Sequence, residues 1–379
     1  MKKKKKKYFH DLAEQFRGEP MQPLCKHFNK CGGCMFQDIS YENQLLLKQQ
    51  YLNELLANIT TVGSVHAAEP FNYRNRMDMV TAFGKIGLRE EGTYRFVVDV
   101  TECPIMQYSM EECYVKARAL LGSIEDYDYL KHQGYLRYIV LRQARFTNET
   151  MLNFVTANNE NRLTNVIDAI KDSVSSISQI VSEGRADLSY GEIISDIKKG
   201  YIEEEFDGIR YRVGPNSFFQ SNSLIAREMY RRIREQVKGR VLDLYSGVGS
   251  ISLFAAQNAE HVTGVEISTE STADAEANRV LNGIENVSFI NADAKDHMQQ
   301  NVNKYDTLIM DPPRTGIHPK MIKYINELNP ERIIYMSCNP ATFRDDAMGL
   351  EGYSLSSFEA YDMFPQTPHV ETLAVFDRK

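Results

Sequence analysis

The sequence predicts an α/β protein whose C-terminal half contains a largely parallel sheet, preceded by a β-rich α+β region. In the C-terminal half, short apolar runs alternate with helical segments, which is the pattern of open parallel sheets. In the middle of the chain, β-branched and aromatic residues form short runs separated by turns, which indicates strands. The expected division is a basic arm over residues 1–24, a cysteine-containing and β-rich region over residues 25–205, and a ligand-binding α/β domain over residues 206–379.

Periodicity predicts the individual elements. Leucines at helical spacing over residues 41–59 predict an amphipathic helix. A β-hairpin is expected around a turn at residues 147–150, with strands that include Leu136 and Val155. The strands of the C-terminal sheet are predicted at residues 241–244, 261–266, 287–290, 307–310, 332–336 and 372–376.

Charge is distributed unevenly along the 379 residues. The net charge of −7 gives no overall attraction for nucleic acid, but residues 1–30 carry nine Lys or Arg against three Asp or Glu. This basic arm fits either phosphate binding or a solvated tail. No apolar run reaches the roughly 18 residues needed to span a bilayer, and no signal-peptide stretch follows the lysines. We therefore expect a cytoplasmic protein with no membrane partner, and we expect it to be a monomer.

A glycine turn with Tyr245, Gly247 and Gly249 follows the first predicted parallel strand and leads into a helix at Ser250. Such a turn lets a ligand approach the backbone. The third glycine of the dinucleotide-binding fingerprint would fall at Ser252 and is absent, which argues against a cofactor that carries a pyrophosphate.

Three acidic residues, Asp243, Glu266 and Asp293, lie at the ends of consecutive predicted strands. One such residue alone would be an ordinary loop-starting acid. Three beside a glycine turn fit the crevice in which open α/β sheets bind ligands, with Glu266 on the ribose hydroxyls and Asp293 near an adenine edge. The ligand contains adenosine without pyrophosphate, and S-adenosylmethionine meets both conditions.

One thiol, Cys338, follows the predicted strand 332–336 among loop-forming residues, so we expect it in the cleft and not in the core. A thiolate that adds to C6 of a uracil makes C5 nucleophilic, and a base must then remove the C5 proton. Glu371 is the candidate base and His369 is its competitor. A positive group, either Arg314 or Arg344, is needed to lower the pKa of the thiol.

Four further cysteines offer a ligand set, namely Cys25, Cys31, Cys34 and Cys103, the last of which is followed by a proline. In a reducing compartment such a set binds metal more often than it forms disulfides. Its spacing fits an iron–sulfur cluster or a tetrahedral zinc site. Cys113 is left without a role.

Two short segments are candidates for RNA contact. Tyr73-Arg74-Asn75-Arg76 interleaves an aromatic ring with two guanidinium groups, which suits base stacking and phosphate pairing. Phe218 and Phe219 precede Gln220, and one of them could stack on a flipped base while the other lies in the core; we select Phe219 as the RNA contact.

Together these motifs resemble the RNA uridine-C5 methyltransferases, which form 5-methyluridine. The resemblance implies a class I, Rossmann-like S-adenosylmethionine domain, a [4Fe–4S] cluster on the four cysteines, Cys338 as nucleophile and Glu371 as proton acceptor. It also implies a cofactor site formed by Gln220, Tyr245, Ser250, Glu266, Asp293 and Asp311, to which the glycine turn adds Gly247 and Gly249. From their residue types we predict RNA contacts by Arg74, Arg76 and Phe219. The motifs that carry the resemblance are the cysteines Cys25, Cys31, Cys34 and Cys103, Tyr73 to Arg76, Asn216 to Gln220, Asp243 to Gly249, Asp311 to Arg314, Ser337 to Pro340, Asp362 to Pro365 and His369 to Glu371.

The amino-acid sequences of residues 134–142 and 188–191 are similar to those of the archaeal branch of the family, which implies uridine 54 of tRNA as the target. Methylation of a uridine in 23S rRNA is the alternative, and a non-catalytic iron–sulfur RNA-binding protein is a second. A second catalytic cysteine, as expected for cytidine-C5 methylation, is absent near Asp311. The N-terminal β-barrel RNA-binding domain of many relatives is not expected here, because only the lysine arm precedes Cys25.

Overall fold

Two β-sheets, of eight and seven strands, organise the chain in the computed structural model, which describes residues 3–93, 95–300 and 304–379. The helices are α1 (Lys3–Phe16), α2 (Tyr41–Leu55), α3 (Tyr108–Leu120), α4 (Thr164–Ile170), α5 (Ser223–Gln236), α6 (Ser250–Ala255), α7 (Thr269–Leu281), α8 (Ala294–Gln300), α9 (Pro319–Leu328) and α10 (Pro340–Ala347). Among the described residues, none of these helices is both long and apolar enough to cross a membrane.

The strands alternate with these helices in the C-terminal half and follow one another in the middle of the chain. They are β1 (Val65–His66), β2 (Arg76–Ala82), β3 (Lys85–Arg89), β4 (Val97–Asp99), β5 (Tyr127–Asp128), β6 (Gln133–Gly134), β7 (Leu136–Gln143), β8 (Thr150–Thr156), β9 (Ser176–Val181), β10 (Glu192–Lys198), β11 (Ile202–Phe206), β12 (Ile209–Val213), β13 (Arg240–Leu244), β14 (His261–Glu266), β15 (Val287–Asn291), β16 (Thr307–Met310), β17 (Arg332–Ser337), β18 (Tyr353–Tyr361) and β19 (Glu371–Arg378).

The eight-stranded sheet has the order β1-β18-β19-β17-β16-β13-β14-β15. Strands β13 to β17 run parallel to one another, and β19 is antiparallel to both of its neighbours, β17 and β18. The six strands predicted for this region are confirmed, because buried parallel strands have nearly continuous apolar sequences. Strand β18 was not predicted, since its exposed serines and Glu359 interrupt the apolar pattern.

The seven-stranded sheet has the order β10-β9-β8-β7-β2-β3-β4 and forms the middle region. The predicted hairpin is confirmed as the antiparallel pair β7 and β8, whose residues are all buried. Helix α4 connects β8 to its parallel neighbour β9. The β-rich character of the middle region therefore follows the prediction.

Within the N-terminal segment, residues 3–16 form the helix α1. Phe9 and Leu12 of this helix are buried, and the Phe9 ring lies 4.8 Å from that of Tyr51 in α2. These residues belong to the same core as the C-terminal sheet, and β1 pairs in parallel with β18 at its edge. Helices α1 and α2 and strand β1 therefore contribute to one core with the C-terminal sheet.

Candidate active site

The parallel strands β13 to β17 end at one edge of the eight-stranded sheet, and most of the predicted site residues gather there. Glu266 is the last residue of β14, and Asp311 and Cys338 directly follow β16 and β17. Asp243 lies within β13, one residue before its end, and Asp293 follows β15 by two residues. The structure therefore brings the predicted acids and the thiol to a common edge.

The glycine turn between β13 and α6 has three left-handed residues, Tyr245 (φ 65°), Gly247 (φ 55°) and Gly249 (φ 77°). A Cβ atom on Gly249 would lie 2.6 Å from the Phe289 ring, so helix α6 can pack at this distance only with glycine. A Cβ on Gly247 would meet nothing within 4 Å, which leaves open space beside its backbone. The turn thus offers a surface that a ligand can approach closely.

Glu266 connects the glycine turn to the loop after β14. Its carboxylate accepts hydrogen bonds from Gly247 N at 3.0 Å and from Ser268 N at 2.8 Å. Asp293 accepts hydrogen bonds from the backbone of Lys295 and Asp296 at the start of α8. Both carboxylates are therefore fixed by backbone amides, and each keeps lone pairs for a ligand.

The predicted residues Ser250 and Gln220 also reach this edge. Ser250 begins α6, and its hydroxyl lies 3.0 Å from the Tyr230 hydroxyl. Gln220 is buried and donates from Nε2 to Asp311 Oδ2 at 3.2 Å. Gln220 therefore links the loop before α5 to the end of β16.

Two carboxyl groups at this edge have strongly raised pKa values. Burial raises the pKa of Asp243 to about 7, although Ser252 Oγ donates to it at 2.5 Å, and Asp243 Oδ1 has no partner among the described residues. Burial also raises the pKa of Asp311 to about 7, and the charge of Asp243 adds to that effect. A cationic ligand would lower both pKa values, so the site favours a positively charged group.

Cys338 and Glu371 are neighbours at the ends of two paired strands. Ser337 of β17 pairs with Thr372 of the antiparallel strand β19. Cys338, which follows Ser337, therefore lies opposite Glu371, which precedes Thr372. Burial and the Glu371 charge raise the pKa of Cys338 to about 11, while the charge of Arg314 and its hydrogen bond to the thiol oppose the shift. Burial, with the Asp311 charge, raises the pKa of Glu371 well above its ordinary range.

Of the two arginines proposed to activate the thiol, Arg314 is the one that interacts with Cys338. Its backbone carbonyl accepts a hydrogen bond from Asn339 Nδ2 at 2.9 Å, which ties the loop after β16 to the loop after β17. Arg344 instead pairs with Asp345 at 2.7 Å on α10. The candidate activating group is therefore Arg314.

A cavity of about 760 Å³ lies beside this cluster, and Arg314, which interacts with Cys338, is part of its wall. Arg74, Arg76, Arg314, Phe364 and His369 are among the residues that line it. His369 thus stands at the cavity wall, whereas Glu371 is buried beside the thiol. Both candidate bases lie in this region, with Glu371 directly next to the candidate nucleophile.

The segment Tyr73 to Arg76 alternates between the interior and the cavity. Tyr73 is 1% exposed and donates to Pro365 O at 3.0 Å, so the prediction that its ring stacks on RNA is wrong. Asn75 is buried and donates to Gln220 O at 2.8 Å. Only Arg74 and Arg76 face the cavity, where the Arg76 guanidinium pairs with Asp78 at 2.8 Å.

The position of Phe219 also differs from the prediction. Its ring packs in the core, 5.6 Å from Phe206 and 5.7 Å from Tyr211, and is 7% exposed. Phe218 is 66% exposed. The local sequence does not tell the two rings apart, and the structure assigns the solvent-facing position to Phe218.

The four predicted cysteine ligands line one small cavity between the loop 25–34 and the strand region near Cys103. Burial raises the pKa of Cys34 to about 12, and the neighbouring thiols Cys31 and Cys25 add to the shift. Burial likewise raises the pKa of Cys103, and the other three thiols contribute. Within the described ranges, no three His, Cys, Asp or Glu side chains converge on the position of one metal ion.

The sheet order, the glycine turn and the acids at the strand ends define a class I S-adenosylmethionine-dependent methyltransferase. The fold is similar to a solved structure of Pyrococcus abyssi tRNA (uracil-54, C5)-methyltransferase in complex with S-adenosyl-L-homocysteine. The TM-score is 0.80 at 35% sequence identity, over 91% of this chain and 85% of that one.

Sequence comparisons identify the family within this class. The family model described as tRNA (Uracil-5-)-methyltransferase matches residues 191–379. A tRNA (uracil(54)-C(5))-methyltransferase of Pyrococcus furiosus is 36% identical over 93% of this chain and 85% of its own length. That of Pyrococcus horikoshii is 38% identical over 92% and 84%, respectively. The chain belongs to the tRNA (uracil-5-)-methyltransferase family.

Proposed function

We propose that this protein transfers a methyl group from S-adenosylmethionine to C5 of uridine 54 in tRNA. The observation that carries the proposal is the pairing of Ser337 with Thr372, which sets the Cys338 thiol beside the Glu371 carboxyl. A nucleophile and a base at opposed positions of two paired strands, at the edge that bears the glycine turn, are the two groups that methylation of C5 requires.

The residues of the chain act in sequence on the target base. The Cys338 thiolate, favoured by Arg314, forms a bond from Sγ to C6 of uracil, and the C5–C6 electron pair becomes nucleophilic at C5. S-adenosylmethionine, when bound, supplies the electrophilic methyl group that C5 takes. Glu371 then removes the C5 proton, the electron pair returns to C5–C6, and Cys338 leaves as the thiolate. Burial raises the pKa of Glu371, which makes its carboxylate a stronger base than that of a free glutamate.

The loop residues are expected to hold the cofactor in the open space beside Gly247. Glu266 would accept hydrogen bonds from the ribose hydroxyls, and Asp293 lies where the adenine edge would reach. The unpartnered Asp243 Oδ1 and the raised pKa values of Asp243 and Asp311 fit a sulfonium-bearing ligand. A cationic cofactor would therefore stabilise the ionised forms of these two carboxyl groups, which burial disfavours in the ligand-free protein.

The RNA is expected to enter the cavity of about 760 Å³. Arg74 and Arg76 would pair with phosphates, and exposed Phe218 offers a ring on which a base can stack. The Pyrococcus furiosus and Pyrococcus horikoshii relatives are named for uridine 54 of tRNA, which favours tRNA over 23S rRNA.

The test is incubation of the protein with labelled S-adenosylmethionine and three RNAs: an unmodified tRNA transcript, the same transcript with cytidine at position 54, and 23S rRNA. Label in 5-methyluridine of the first transcript alone is the expected result, and Cys338→Ala should abolish it. Label in 23S rRNA only would show that rRNA, and not tRNA, is the substrate. RNA binding without label in any of the three would indicate a non-catalytic protein.

We also propose that Cys25, Cys31, Cys34 and Cys103 hold a [4Fe–4S] cluster. All four thiols line one cavity. Iron–sulfur clusters are held by four cysteine thiolates, and a proline follows Cys103 as it follows the last cysteine in such sites. The family resemblance favours this group over a tetrahedral zinc ion, which the same four thiolates could also bind. Its expected role is structural, because the methyl transfer has no redox step.

Anaerobic purification followed by iron and sulfide analysis tests this assignment. Cys34→Ser should remove most of the iron and the visible absorbance, whereas Cys113→Ser should retain both, since buried Cys113 does not line the cavity. Stoichiometric zinc without sulfide would show that the site is a zinc site.

A further inference from the structure

Helix α2 carries two buried polar side chains, Gln44 and Lys48, one turn apart on the same face. Buried polar groups are normally engaged by partners, and both of these have a partner on one distant stretch of chain. That stretch is residues 362–371, which we call the base segment because it ends at Glu371. The partners are Asp362 and Gln366, which are also four residues apart. Gln44 Nε2 also donates to Phe36 O and Ile39 O at 2.9 Å, just before its own helix.

Lys48 holds the start of the base segment. Its Nζ lies 2.5 Å from Asp362 Oδ1 and 3.2 Å from Phe364 O, and both charged side chains have no solvent exposure. Asp362 is fixed further by the hydrogen bond from its backbone N to His66 O at 2.8 Å. The segment therefore leaves β18 in one defined direction.

Gln44 holds the middle of the base segment through a reciprocal amide pair. Its Nε2 lies 3.0 Å from Gln366 Oε1, and its Oε1 accepts from Gln366 N at 3.1 Å. Gln366 has a left-handed backbone (φ 67°), a conformation that needs such support in a residue other than glycine. Its carbonyl accepts from Met35 N at 2.8 Å and from Phe36 N at 3.2 Å, so the chain directly after Cys34 binds the same residue.

We propose that Lys48 and Gln44 are positioning residues, which set the path of the base segment and thereby the placement of Glu371 against the target base. This inference rests on the proposed function. Neither residue lines the cavity, so neither reaches substrate. Strand β18 precedes the segment, and β19 begins at its last residue, Glu371. The residues between the strands are held by α2, by Tyr73 and by the chain directly after Cys34. A shift of the segment would therefore impair proton removal from C5 and spare the attack of Cys338 on C6.

The two steps can be measured separately with tRNA transcribed with 5-fluorouridine. Fluorine at C5 cannot leave as a cation, so the adduct formed after methyl transfer persists without any contribution from Glu371. The rate of adduct formation on this RNA reports thiolate addition and methyl transfer together, and turnover on ordinary tRNA adds proton removal and release. Failure of the wild-type protein to form the adduct would contradict the proposed function itself and not the positioning role.

The main variant is Lys48→Met/Asp362→Asn, which removes both buried charges together and so avoids leaving one unpaired. Adduct formation on 5-fluorouridine tRNA should stay close to the wild-type rate. Turnover on ordinary tRNA should fall by about tenfold or more, with adduct accumulating, because small displacements of a reacting group are costly. Gln44→Met should show the same split between the two rates.

Leu52→Ala is the control, because Leu52 is a fully buried residue of the same helix whose side chain has no polar group. It should lower the melting temperature without changing the ratio of the two rates. Equal loss of both rates in the double variant, or an unchanged ratio, would overturn the positioning role. Failure of both α2 polar variants to fold, while Leu52→Ala folds, would also overturn it in favour of a role in folding alone.

Discussion

Ser252 Oγ donates a hydrogen bond of 2.5 Å to Asp243 Oδ2, and both side chains are buried. Ser252 occupies the position at which a dinucleotide-binding protein would have its third glycine. In this protein the position instead supplies a hydroxyl that donates to a buried carboxyl, whose pKa burial raises to about 7.

The first prediction concerns the stability of the ligand-free protein. A carboxyl whose pKa is raised on folding stabilises the folded state at low pH, and this stabilisation is lost as pH rises from about 4 to about 7. Asp243→Asn cannot ionise, so it should be more stable than the wild type at pH 8 by about 2–4 kcal/mol, and not at pH 4. Denaturant unfolding at the two pH values measures the difference.

Asp377→Asn is the matched control for that measurement. The hydrogen bond from Arg332 lowers the pKa of Asp377, so this carboxylate stabilises the fold at neutral pH and loses its contribution as pH falls. The variant should be less stable than the wild type at neutral pH. Identical pH dependence in the wild type and Asp243→Asn would contradict the prediction.

The second prediction concerns activation of the thiol. With the pKa of Cys338 at about 11, the rate of adduct formation should rise about tenfold per pH unit through the neutral range. Arg314→Ala should raise that pKa further and slow adduct formation at neutral pH by about tenfold. These rates are measured with 5-fluorouridine tRNA, in stopped reactions resolved on denaturing gels. Arg344→Ala is the control and should behave as the wild type. Equal effects of the two substitutions would exclude a specific role for Arg314.

The third prediction concerns the base. Glu371→Gln cannot take the C5 proton, so a covalent complex with tRNA should accumulate on a denaturing gel while turnover falls by about a hundredfold or more. His369→Ala should retain turnover and release its RNA. An active, untrapped Glu371→Gln protein would identify His369 as the base.

The fourth prediction concerns cofactor affinity. Glu266→Gln replaces a carboxylate held by Gly247 N and Ser268 N, and it should weaken binding of S-adenosylhomocysteine by about 10- to 100-fold, as for a lost charge-assisted hydrogen bond. Isothermal titration calorimetry measures the change. Glu276→Gln, which affects an exposed ion pair on α7, should bind normally. Wild-type affinity in Glu266→Gln would remove Glu266 from the cofactor site.

The fifth prediction separates the two phenylalanines. Phe219→Ala should destabilise the fold by about 3–5 kcal/mol, because its ring fills the core. Phe218→Ala should leave the melting temperature nearly unchanged and lower kcat/KM for tRNA by about tenfold, equivalent to one lost stacking contact of about 1–3 kcal/mol. A normal kcat/KM in Phe218→Ala would show that the exposed ring does not bind RNA.

Local patterns were sufficient for the C-terminal sheet and for most of its site. Parallel strands that are buried on both faces have apolar runs, and the loops that follow them carry Glu266, Asp311 and Cys338 at positions that can be counted from the strand ends. The same reasoning cannot choose between Phe218 and Phe219, since the choice depends on Phe206 and Tyr211 in a separate hairpin.

The polar face of α2 was not predictable for a related reason. Lys48 occurs in an amphipathic helix, where lysine is ordinarily a solvent-facing residue, and its partner Asp362 lies 314 residues away. The helix α1 was not predicted either, because its lysine-rich start resembles a solvated tail. Its buried face, which includes Phe9 and Leu12, packs against the rest of the protein. Burial of these groups is decided by tertiary contacts that no local window contains.

The pairing of β1 with β18 has a mechanical consequence for the middle region. The chain leaves the eight-stranded sheet after β1, builds the seven-stranded sheet, and returns through α5 to β13. The seven-stranded sheet is thus an insert between β1 and α5, and contacts beyond these two connections fix its placement. Asn75 N donates to Ser221 O at 2.9 Å, and Ala144 and Met151 share one core with α5 and β13, so the insert and the eight-stranded sheet cannot separate without breaking buried contacts.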